Sequence, residues 1–262
     1  LNSASRFGIK GSEDLGNGMK VSFQLENGFK SDSGVFKTDG KLFDRQATVA
    51  LSSDFGTLTM GRVGGIGSGA GFDLVYGYGD AFDGGSPNVL GLVKSDRYDN
   101  MVTYQTPSFS GFQATVQYSL NESSVDNTKR ENSSQVDRYL GLALTAELGA
   151  FQSVLAYETQ NYASFGDKAQ ANTEDGQVVY LGGNYDFEVA KVFVMGQYFK
   201  GIKLSTVSSF GMLSEADKKV ADGEYDKGTK GFGAHLGTIV PISNGDLTVG
   251  AYYVDGTAET SK

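Results

Sequence analysis

Apolar and polar residues alternate one for one in segment after segment of this 262-residue chain. Phe112, Ala114, Val116, Tyr118 and Leu120 are apolar, and Gln113, Thr115, Gln117 and Ser119 between them are polar. In an extended strand successive side chains point to opposite faces, so such a stretch has one greasy face and one wet face. The same split sets Met19, Val21, Phe23 and Leu25 against Lys20, Ser22, Gln24 and Glu26. It recurs with Leu140, Leu142 and Leu144, with Val192, Val194 and Tyr198, and with Leu247, Val249 and Tyr253. A soluble sandwich buries its greasy faces against each other, whereas a membrane barrel turns them to lipid and keeps the wet faces around water.

The connections separate these two outcomes. Six short ones, near 13–18, 53–56, 107–111, 147–150, 186–189 and 241–246, carry Gly, Pro, Asn or Asp, as hairpin turns do. Between them lie longer polar stretches at 27–41, 63–95, 121–137, 160–176 and 201–230. Two strands per short turn give about twelve strands of roughly 9 to 11 residues, the length that crosses a bilayer when tilted. Strands of soluble proteins are usually about 5 to 6 residues long. Turns that are short on one side and long on the other are the habit of transmembrane antiparallel β-barrels. The expected class is therefore all-β, in a membrane.

Composition agrees where it speaks. Gly is abundant at 37 residues and Pro scarce at 3, which suits sharp turns between uninterrupted strands. Mean hydropathy is -0.27, but averaging hides a lipid-facing strand, in which every second residue is polar. No run of about 18 apolar residues offers a transmembrane helix. Residues 1–6 lack the basic and apolar regions of a secretory leader, so the chain is read as mature or as cut from something longer. A net charge of -9 disfavours nonspecific nucleic-acid binding. With a single His and no Cys, a zinc site or a Cys–His pair is not expected, nor is any cofactor. His235, flanked by Ala234 and Leu236, falls on a polar face and is expected to line a lumen rather than to serve an esterase. Gly65, Gly67 and Ala70 fit a loose dinucleotide fingerprint without the βαβ unit it needs.

Several segments resemble the general porins of Gram-negative bacteria, particularly the neisserial and β-proteobacterial type. They are SRFGIKG at 5–11 leading into EDLGNG at 13–18, FDRQA at 43–47, FGTLTMGR at 55–62 and RYDNMVTY at 97–104, followed by Pro107 and the strand after Gly111. Met101 and Thr103 depart from the family, which often carries a small polar residue and a basic one there. The resemblance covers essentially the whole chain, and it implies a 16-stranded barrel that associates as a homotrimer. About twelve strands are visible, so residues 1–262 are expected to be a single but partial barrel domain, missing the first strand and the last three. The resemblance further implies an outer-membrane location, contact with lipid and lipopolysaccharide, and passive diffusion of small hydrophilic solutes and ions. Rival readings are a channel specific for sugars or carboxylates, with Tyr139 and Tyr180 as an aromatic track, a structural or adhesive barrel, and a soluble β-protein.

In the resembled family the third long loop folds into the lumen and narrows it. Here that loop spans 63–95, and its Asp73, Asp80 and Asp83 are expected to face basic residues on the wall. Arg97 shares parity with Asp99, Thr103 and Gln105, opposite Val102 and Tyr104, and is expected to point inward. Arg45 and Arg62 match family positions at the constriction, yet parity groups Arg45 with Val49 and Leu51 and Arg62 with Leu58 and Met60. Either a bulge near Gly61 and Asp44 re-aims them or they sit at the aqueous rim. The resemblance favours the lumen, and so does the cost of charge on the lipid face, about 2 to 4 kcal/mol mid-membrane. Arg6, Lys10 and Lys20 fall on polar faces as pore lining.

Overall fold

The computed structural model describes residues 5–69, 71–82, 96–120, 136–162, 174–202 and 228–258. The alternating segments form twelve strands: β1 (Arg6–Gly16), β2 (Met19–Gly28), β3 (Gln46–Ser53), β4 (Gly56–Gly64), β5 (Arg97–Gln105), β6 (Phe112–Ser119), β7 (Arg138–Leu148), β8 (Phe151–Asn161), β9 (Gly176–Asp186), β10 (Lys191–Ile202), β11 (Thr229–Ile242) and β12 (Gly245–Ala258). One short helix, α1 (Leu74–Gly79), lies between β4 and β5. All twelve strands belong to one sheet in sequence order, each antiparallel to the next, with β1 and β12 at its edges. The expected all-β class and the count of about twelve strands both hold.

Each short connection sits where the turn residues predict, and several are only two residues long, as between Gly16 and Met19. There Asn17 and Gly18 take φ of 53° and 74°, the left-handed pair that a tight hairpin needs to follow strand twist.

Strand register turns the alternation into two continuous faces. Phe23 pairs with Val49, Val49 with Met60, Met60 with Val102, and Val102 with Tyr118. Further along, Leu155 pairs with Leu181, and Leu236 of β11 pairs with Val194 of β10. Most of this band is exposed, including Leu181 at 63% and Leu236 at 58%. A contiguous apolar band of this extent on a water-soluble monomer would be unusual, and on a barrel it is the lipid-facing belt.

The opposite face is polar along β1–β6, with Ser12, Ser22, Gln24, Thr48, Thr59, Thr103, Thr115 and Gln117. Along β8–β10 it is covered by α1. Leu74, Val75 and Tyr76 of the helix are buried with Val154, Ala156, Val178, Tyr180, Met195 and Phe199 of the wall. A six-residue helix does not hold in water by itself. It exists here because the inner face buries three of its side chains.

Candidate functional site

The segment that follows β4 is fastened to the inner wall at two places. At its start, the backbone N–H of Ile66 donates to the Tyr139 hydroxyl at 2.7 Å and that of Gly67 to Glu158 Oε1 at 2.9 Å. Glu158 also accepts the hydroxyls of Tyr139, at 2.5 Å, and Tyr180, at 2.7 Å. A side chain on Gly67 would run into the Tyr180 phenol and the Glu158 carboxylate, so glycine is what lets the loop backbone come this close. At the far end of α1, Asp80 Oδ1 accepts the Tyr252 hydroxyl at 2.5 Å and lies 3.4 Å from His235 Nε2. The Ala81 N–H donates to His235 Nε2 at 3.2 Å. With Nε2 accepting, the proton of a neutral imidazole sits on Nδ1, which faces the Ala251 carbonyl at 3.2 Å.

Between these anchors, Asn184 Nδ2 donates to the Tyr78 carbonyl at 2.8 Å, and the Tyr78 hydroxyl donates to Glu147 at 2.7 Å. Burial and then this bond push the Tyr78 phenol up to about 12, so it remains a donor at neutral pH. The Tyr76 phenol is raised too, by burial first and then by the charge of Asp80.

Along β1–β4 the inner face stays open. Lys10, Ser12, Ser22, Gln24, Gln46, Thr48 and Thr59 border a cavity of about 500 Å³, with Phe72 of the loop at its edge. Lys10 and Lys20 are exposed on the polar face, as is Arg6. Arg6 pairs with Gly28, and the space above Gly28 is occupied by the side chains of Asp44 and Arg45.

The charged residues near this rim are organised by a bulge. Gly61 pairs with Met101 and Val63 with Tyr98, so Arg62 on β4 opposes both Asp99 and Asn100 on β5. Gly61 has φ of 127° and Asn100 has φ of 50°. A Cβ at Gly61 would strike the Ala47 carbonyl. Arg62 stays on the register of the apolar face, opposite Ala47. Its charge is met there by Asp99 at 2.7 Å and by the Asp44 carbonyl at 2.6 Å, and Lys41 joins the same Asp99 at 2.7 Å. Arg45 precedes β3 and turns to Glu26, an inner-face residue, at 2.5 Å. Asp44 is itself held by the Gly28 N–H at 2.6 Å and the Thr38 hydroxyl at 2.9 Å.

Arg97 opens β5, half-buried, and its Nε has no hydrogen-bond partner among the described residues. Arg45, Arg62, Asp96 and Asp44 are the charged groups around it. The extra residue at the bulge puts both Tyr98 and Met101 on the buried side. Parity counted back from Thr103 therefore does not carry across to Arg97.

The structure thus brings Arg45, Arg62 and Arg97 together at one rim. Asp80 is not among them: it is fully buried at the second anchor. Asp73 immediately precedes α1, and Asp83 lies outside the described residues. His235 is on the inner face as expected, but buried under the loop. Tyr139 and Tyr180 are also buried, at 1% each, which leaves no aromatic track there for a solute. Sequence reasoning missed the anchoring role of Glu158 and Tyr252. Its one available signal was a lone carboxylate at the inner parity of β8, and nothing local names the partners of such a group.

Comparison with known proteins completes the identification. A family profile described as Gram-negative porin matches residues 1–262. An outer membrane porin protein of Bordetella pertussis is 39% identical over 201 residues, which is 73% of this chain and 51% of that protein. Outer membrane porin protein 32 of Delftia acidovorans is 33% identical over 72% of this chain and 53% of its own length. The chain therefore spans about half the length of these relatives. Among solved structures, an anion-selective porin from Comamonas acidovorans superposes with a TM-score of 0.66 at 25% identity, covering 97% of this chain and 70% of that one. The greasy outer belt, the wet inner face and the matched profile lead to one conclusion: the chain belongs to the Gram-negative porins.

Proposed function

We propose that the whole protein is a passive diffusion channel for small hydrophilic solutes and ions across the outer membrane. The observation that carries this is the uneven filling of the inner face. The loop is packed against β8–β10, and an open cavity edged by Lys10, Ser12, Gln24 and Thr48 remains beside β1–β4. Such a passage filters by width at the loop and by charge on its wall. In this reading the twelve strands are part of a single barrel wall of sixteen strands, because sheet edges left unpaired in lipid are not tolerated. Three such barrels associate, in contact with lipid and lipopolysaccharide.

The proposed filter is the basic rim of Arg45, Arg62 and Arg97, with Arg6, Lys10 and Lys20 along the wall and Asp73 and Asp83 as the acids that the loop brings to it. A locally basic wall favours anions even though the whole chain carries -9, since loops and exterior contribute to that sum. The relative from Comamonas named as anion-selective supports the same sign.

The experiment is reconstitution of the full-length protein in planar bilayers under a salt gradient. Large water-filled conductance steps with an anion-favouring reversal potential are expected. Arg97→Glu moves that potential toward cation preference. Well-folded protein with no conductance would remove the channel reading, and an unchanged potential would remove Arg97 from the filter.

A further inference from the structure

We infer that Glu158 is the positioning residue of the channel. Its buried carboxylate fixes where the loop begins its path across the inner face, and so gives the passage one defined width. This rests on the diffusion-channel reading above.

Glu158 is 4% exposed, and among the described residues its bonded partners are all neutral donors. A carboxylate held out of water is costly unless donors surround it. Here the donors come from three places at once. Tyr139 is on β7, Tyr180 is on β9, and Gly67 belongs to the loop. The Tyr139 hydroxyl donates to Glu158 and accepts from Ile66, so its single proton sets the direction of the whole chain of bonds. The sheet itself does not need this carboxylate. Glu158 pairs through its backbone with Gly141 and Val178, like any other strand position. What the carboxylate adds is an acceptor aimed at loop backbone.

The isosteric Gln keeps the shape but presents an NH₂ group to donors, leaving one of them unmatched. A general stability role would loosen β8 and its neighbours together. A positioning role loosens Ile66 and Gly67 selectively, with the strands unchanged.

The test uses the full-length protein with Glu158→Gln, Glu158→Leu and Tyr180→Phe, each first shown to be folded by heat-modifiable migration in gels. Hydrogen exchange at the Ile66 and Gly67 amides is the first readout and does not depend on conduction. It is expected to quicken by at least about tenfold in Glu158→Gln and less in Tyr180→Phe, with strand amides unaffected. Single-channel recording is the second readout: the uniform conductance step of each wild-type barrel is expected to split into flickering sublevels. Unchanged exchange, or loosened amides with a steady single level, overturns the proposal. If Glu158→Leu does not fold, the other two variants decide by the same criteria. A wild type that never conducts overturns the diffusion-channel reading and with it the claim about width.

Discussion

The wall of β8–β10 and the wall of β1–β4 share one sheet, yet their inner faces are built for opposite ends. On β8–β10 the inward residues are Val154, Ala156, Val178, Tyr180, Met195 and Phe199, buried against Leu74, Val75 and Tyr76 of the loop helix. On β1–β4 they are Lys10, Ser12, Ser22, Gln24, Gln46, Thr48 and Thr59, around open space. Outer faces of both regions are alike, a belt that includes Phe23, Val49 and Met60 on one and Leu155, Leu181 and Val194 on the other. The lesson is that the outer face is dictated by lipid everywhere, while the inner face is free to vary. Where it turns apolar it recruits the loop, and where it stays polar it leaves a passage.

The comparison breaks most easily at the loop helix. Val75 is fully buried. Val75→Asp places a carboxylate with no partner in the apolar seat, at a cost of about 3 to 5 kcal/mol. The expected outcome is release of α1 rather than loss of the barrel. The Gly77 and Asp80 amides, which now donate to Asp73 and Tyr76 carbonyls, should lose exchange protection by at least about a hundredfold. The same carboxylate at the open wall, as Ser12→Asp, should change stability by no more than about 0.5 kcal/mol. Equal effects at the two sites would show that the walls do not differ as described.

The shared outer belt is sharpened by Leu181→Arg. Leu181 lies on β9 between Leu155 and Gly196 in the apolar band. A charge there should cost about 2 to 4 kcal/mol if the position is near the bilayer midplane, and less toward the rim. The measurement is the denaturant midpoint of folding into lipid vesicles. An unchanged midpoint would take this face out of the membrane.

These contrasts were unevenly legible in the sequence. The faces were readable because a strand's alternation is local, and pairs such as Val49 with Met60 follow from it once the two-residue turn between β3 and β4 is known. The parity break allows a bulge near Gly61, but the extra residue is on the partner strand at Asp99 and Asn100. That one-residue slip is why parity counted from Thr103 does not carry across to Arg97. Helix α1 was not readable at all. Its LVYGYG sequence holds two glycines, so local propensity is poor and tertiary burial supplies the helix. The loop seat was hidden for a further reason. Gly67 and Glu158 are 91 residues apart, and Asp80 and Tyr252 are 172 apart. No local pattern encodes such pairings.

The smallest expected effect falls on the open wall, where it separates charge from structure. Lys10 is exposed on the polar face of β1 and makes no ion pair among the described residues. Lys10→Gln should therefore change stability by no more than about 0.5 kcal/mol. It removes one unit of positive charge beside the cavity, whereas Arg97→Glu exchanges two at the rim. The reversal potential should move toward cation preference by less than in Arg97→Glu, and the two shifts should add, since the sites share no partner. A shift from Lys10→Gln as large as that from Arg97→Glu would move the narrowest charged point of the passage from the rim down to the wall of β1–β4.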